Sequence, residues 1–60
     1  MSTKAILIDL MSAISAYQGQ GKYLALEAFK QAARAHLAGQ EETARSHAFS
    51  AINILNQEAA

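Results

Sequence analysis

The chain of 60 residues has no cysteine, no proline and no tryptophan. Without cysteine there is no disulfide and no thiolate metal site. A chain this short needs more than its own core to be stable, which leaves association of subunits as the remaining stabiliser. Without proline nothing in the sequence forbids long helices. Glycine occurs three times, at 19, 21 and 39, and aromatics four times, as Tyr17, Phe29, Tyr23 and Phe49. Neither sign of charge is in excess. Five acids balance five bases, and Lys4, Lys22, Lys30, Arg34 and Arg45 are scattered rather than clustered. Phosphate neutralisation needs a cationic face, so nucleic acid is not expected as a primary partner, and an anionic membrane surface is disfavoured for the same reason. No apolar run approaches the ~20 residues of a membrane span. Lys4 followed by Ala5–Leu10, with small residues from Ser12 to Ala16, has the outline of a leader peptide. Asp9 interrupts its apolar stretch and leaves it too short. The expectation is a cytoplasmic protein of one small helical domain over residues 1–60.

What the chain does have is alanine, the best helix former, and apolar stripes at helical spacing. Before Gly39 run Leu26, Phe29, Ala33 and Leu37, spaced 3, 4 and 4; after it run Ala44, Ala48, Ile52 and Leu55, spaced 4, 4 and 3. Each set marks one face of an α-helix. Folded as an antiparallel hairpin, one register pairs Leu37 with Ala44, Ala33 with Ala48, Phe29 with Ile52 and Leu26 with Leu55. Gly39 suits the left-handed position that ends many helices, and Glu41 and Glu42 favour the positive end of the helix that follows. Glu41 also precedes Arg45 by four residues, the orientation that supports an ion pair. The hairpin helices are predicted over about 22–38 and 41–57. Alanine fills helix surfaces readily, so a second row on the first hairpin helix, Ala25, Ala28, Ala32 and Ala35, reads as surface filler. A shallow groove for another helix is the alternative.

An N-terminal helix is predicted over about 3–18, capped by Ser2 or Thr3, with Leu7, Leu10 or Met11, Ile14 and Tyr17 on one face. A strand over Ala5–Asp9 would have no partner to satisfy its backbone. Gly19 and Gly21 favour a break before the hairpin, since each disfavours a helix interior; the alternative is one long helix from Thr3 to Ala38. The first helix can lie across the wider, open end of the hairpin. Ile6, Leu7 and Ile8 are consecutive and so spread over most of the helix circumference, more apolar surface than one interface needs. Ile6, Ile8, Leu10 and Ile14, with Tyr17 and Tyr23, are therefore the candidate interaction surface, and a dimeric helical bundle is expected across Ile6, Ile8, Leu10 and Ile14; the alternative is a compact three-helix monomer in which these residues wrap the core.

Catalytic and metal chemistry find little support. His36 and His47 are the only residues of ligand or base type that invite attention. In the hairpin register they fall opposite Arg45 and Arg34, and a cation repels a metal. Helical di-metal sites use Glu-x-x-His pairs, which do not recur here, and catalytic zinc takes three protein ligands. Ser50 can reach His47 one turn away, but no carboxylate stands where that histidine would need orienting. Gly19 and Gly21 follow no strand and lack the third glycine of a dinucleotide fingerprint. No catalytic, cofactor-binding or metal-binding residue is assigned, and no cofactor is expected.

The stretch from Leu24 to Leu55 is similar in style to the central helix pair of flagellin-specific export chaperones, through Leu37-Ala38-Gly39 and Ala51-Ile52-Asn53-Ile54-Leu55. Through Ala25, Phe29 and Ala32 it is also similar to a tetratricopeptide unit or a microtubule-trafficking hairpin. No functional residue is carried over from any of them. The sequence thus points to an all-α, non-enzymatic protein–protein interaction module: an adaptor, inhibitor or chaperone-like regulator working through an apolar helical surface. The rival readings are a metal-binding or accessory enzyme subunit using His36 and His47, and a dimeric nucleic-acid-associated regulator that juxtaposes Lys22, Lys30 and Arg34.

Overall fold

Ser2 opens the first helix. Its side-chain oxygen accepts from the Ala5 amide at 3.2 Å, pairing one of the amides that a helix start leaves without a partner. In the computed structural model, which describes residues 2–59 (for 58 and 59 the backbone alone), this helix, α1, spans Thr3–Ala16. It carries no acid in its first turn and no base in its last, so charge does little to hold it and packing must. Tyr17 ends it in extended backbone, with its amide on the Ile14 carbonyl. The second helix, α2, spans Lys22–Leu37, and the third, α3, spans Glu41–Ala59. The architecture is all-helical, as expected. Met1 and Ala60, the ends of the expected domain, lie outside the described residues.

The break at 19–21 is real. The longest dimension of the molecule is 32 Å, whereas an unbroken helix from Thr3 to Leu37 would measure about 52 Å at 1.5 Å per residue. The turn at Gly39 follows the glycine-ended pattern. Gly39 has φ +80°, its amide donates to the His36 carbonyl at 3.0 Å, and the Gln40 amide donates to the Ala35 carbonyl at 2.8 Å. These are the two bonds of a Schellman cap, and they satisfy carbonyls that the end of α2 would otherwise leave open.

The hairpin seam differs from the expected one. On α2 the buried residues are Ala25, Ala32 and Ala35, with Ala28 packed against them. The alanine row read as surface filler is the core face. Leu26 and Phe29 pack on that core half-covered, Ala33 is half-buried, and Leu37 is 86% exposed. The pairing of Leu37 with Ala44 therefore makes no core contact. On α3, Ala44 and Ala48 are buried as expected, joined by Ala51, while Ile52 and Leu55 are half-buried. The reason is steric. Small side chains at the line of closest approach let the axes come together, and the larger ones wrap the flanks.

α1 supplies the large residues of the core, Leu7, Leu10 and Ile14. It does not sit across the open end of the hairpin. Thr3 meets Arg45 near the turn, with Arg45 Nε donating to Thr3 Oγ1 at 3.2 Å, while Ile6 and Leu10 share a groove with Phe49 and Ile52 further along. α1 thus runs alongside α3 in the same direction, giving an up–down–up bundle.

Candidate interaction surface

Between α1 and α3 lies an apolar groove of about 400 Å³ lined by Ile6, Asp9, Leu10, Phe49 and Ile52. Helical spacing builds it. Ile6 and Asp9 are three apart on the flank of α1, and Phe49 and Ile52 three apart on the facing flank of α3, so each pair forms one wall. The walls are apolar except for the Asp9 carboxylate, which is exposed. Phe49 is 52% exposed.

The residues expected at the interaction surface divide. Ile8, at 57%, and Tyr23, at 79%, are exposed. Ile6 is half-buried and lines the groove. Leu10 and Ile14 are 3% exposed and belong to the core of the chain itself, where the hairpin covers them. Tyr17 is half-buried, with its ring lying over Gly19 so closely that any side chain there would collide with it. The groove brings together Ile6 and Leu10 from this set. Phe49 and Ile52 on the opposite wall were not placed there by sequence reasoning. Phe49 falls outside both apolar stripes, and its one signal is a large aromatic at an off-stripe position.

A polar cluster closes the turn end of the bundle. His36 Nδ1 lies 2.8 Å from Glu41 Oε1, an ion pair when the imidazole is protonated. Thr3 is buried on α1, and its hydroxyl oxygen accepts from Arg45. The Thr3 hydroxyl holds the Glu41 carboxyl below its ordinary range against the opposing effect of desolvation, with lesser help from the His36 hydrogen bond and the charges of His36 and Arg45. His36 is bonded to Glu41, and Arg45 donates to Thr3. Ser50 donates to the Ser46 carbonyl at 3.1 Å rather than to His47. Among the described residues no group of three or more histidine, cysteine or carboxylate side chains is gathered for a metal, and no helix is long and apolar enough to cross a membrane.

No family model, curated protein or solved structure matches this chain. The likeness of its helix pair to export chaperones and tetratricopeptide units therefore carries no family assignment.

Proposed function

We propose that the protein is a binding module rather than an enzyme: a small homodimeric adaptor, inhibitor or chaperone-like regulator that presents an apolar helical surface to a protein partner in the cytoplasm. One observation carries this reading. The core holds no large side chain that is completely buried among the described residues, and its fully covered positions are alanines, while Ile6, Leu26, Phe29, Ile52, Ile54 and Leu55 pack on it only half-covered. Large apolar side chains left at that level of cover gain more when a second body completes it.

The test is the molar mass in solution, by light scattering behind a sizing column over a hundredfold range of concentration. A mass that climbs to that of a dimer supports the reading, and a folded monomer throughout overturns its homodimeric part. The rival metal or accessory-subunit reading is separated by substitution. A binding module keeps its protein partner in His36→Ala and His47→Ala and loses it in Ile8→Asp; the reverse pattern would favour the histidines. Retention on duplex DNA at low salt, lost steeply as salt rises, would instead support the nucleic-acid reading.

A further inference from the structure

The buried faces of α1 and α2 are in phase with each other across the turn that separates them. Counting about 100° per residue straight through from Thr3, the residues Thr3, Leu7, Leu10, Ile14, Tyr17, Gly21, Ala25, Ala32 and Ala35 all fall within roughly 80° of arc. Every one of these is buried in the structure except Tyr17, which is half-buried. A turn that only reversed the chain would have no reason to keep this phase. The phase is what a continuous helix needs, with Gly21 and Tyr17 at the midpoint of its apolar face.

We infer that a second copy of this chain can take the place of α1 by exchange: the segment 17–21 straightens, α1 and α2 become one helix, and α1 of each copy packs on the hairpin of the other. This rests on the reading of the protein as a homodimer and gives its mode. Each hairpin then keeps the Leu7, Leu10 and Ile14 side chains it holds in the single chain, now from its partner, so no new core has to be built. Two such helices lie antiparallel with their apolar faces together. Around the two-fold axis Gly21 meets its counterpart, and a residue without a side chain allows close approach there. Leu10 and Ile14 are thereby both core residues of the fold and residues of a dimer interface.

The turn itself is lightly held. Gln18, Gly19 and Gln20 are exposed, and the bond closing it, from the Lys22 amide to the Gly19 carbonyl, is 3.3 Å long. The Tyr17 ring lies over Gly19. What keeps the turn bent is glycine, which disfavours a helix interior. Gly19→Ala weakens that preference, and in the bent form the Tyr17 ring must shift to admit it. It is expected to raise the dimerisation constant on the order of thirtyfold, from two such replacements per dimer.

The absence of cysteine makes a direct test possible. In the full chain, Asp9→Cys and Phe49→Cys place one thiol on each wall of the groove between α1 and α3. The protein is refolded at high concentration, since exchange requires α1 to leave its seat, separated on a sizing column, and cross-linked by oxidation or a short bismaleimide. The expected result is a dimer whose links join two chains, so that it runs as a dimer under denaturing conditions, with more of it in the Gly19→Ala background. A dimer whose links stay within each chain overturns exchange while leaving the homodimer reading standing. A monomer at every concentration overturns both. Should Gly19→Ala fail to fold, the cysteine pair in the parent sequence decides the question alone.

Discussion

At Gly39 the backbone has φ +80° and an added Cβ would meet nothing within 4 Å. Any cost of substituting it is therefore conformational and not steric. Gly39→Ala is expected to lower stability by about 1 kcal/mol, the penalty an L side chain meets in the left-handed region, read as a drop in the urea midpoint with an unchanged slope. The alanines of the seam make the opposite case. Ala48 is completely buried, and Ala48→Leu forces a large side chain between helices at their closest approach. A loss of about 1–3 kcal/mol is expected, whereas Leu37→Ala, at an exposed end of α2, should move the midpoint hardly at all. If Leu37→Ala costs as much as a core truncation, the seam has been placed on the wrong face of α2. Leucine is the larger apolar residue in both positions, yet only the one that would enter the seam matters.

That contrast explains how much of each element could be read from the sequence. Helix existence and number were legible because glycine, the Ser2 cap and the two glutamates after Gly39 are local signals, each acting through its own backbone neighbours. The core face of α2 was not. It carries two apolar rows side by side, Leu26-Phe29-Ala33-Leu37 and Ala25-Ala28-Ala32-Ala35. Hydrophobicity ranks the first row higher, while close approach of two axes selects the second. Only the partner helix decides between them, and a partner is not a local signal. The same holds for the groove, whose walls come from α1 and α3, and for the polar cluster, where Thr3 stands far in sequence from Glu41 and Arg45. In that cluster Thr3→Val is expected to raise the Glu41 pKa toward its ordinary value, followed by NMR of the carboxyl through an acid titration; an unchanged titration would remove Thr3 as the cause. The sign for stability follows from the depressed folded value. Ionised Glu41 stabilises the fold above the pKa it has in the unfolded chain, and this contribution is lost as the pH falls through its lower folded pKa. Glu41→Gln should therefore flatten the acid limb from above: it lowers the neutral region slightly, where the ionised carboxylate contributes, and leaves the acid end as it was, the effect being small because Glu41 is solvated.

For the molecule as a whole the question is how a chain of this size completes its core. Its radius of gyration, 10.6 Å, matches the ~10.4 Å expected of a folded domain of its length, so the three helices do pack as one body. Its surface of 4114 Å² is somewhat above the ~3,800 Å² typical for its mass. A specific dimer formed by docking intact surfaces covers about 800 Å² per partner, near a fifth of that total and more than one groove with five lining residues provides. Exchange of α1 avoids the difficulty, because the surface it covers between copies is the surface already covered within each, and the half-covered side chains at its edges stay open to the protein partner. Either way, folding and association become one equilibrium, and the unfolding midpoint must then depend on protein concentration. A hundredfold increase is expected to raise the midpoint by roughly 5–10 °C, from the mass-action gain shared between two chains of this length. Calorimetry or circular dichroism at the two concentrations measures it. A midpoint that stays fixed would mean that α2 and α3 close their core with their own α1, and that the half-covered side chains at its edges wait for a different protein.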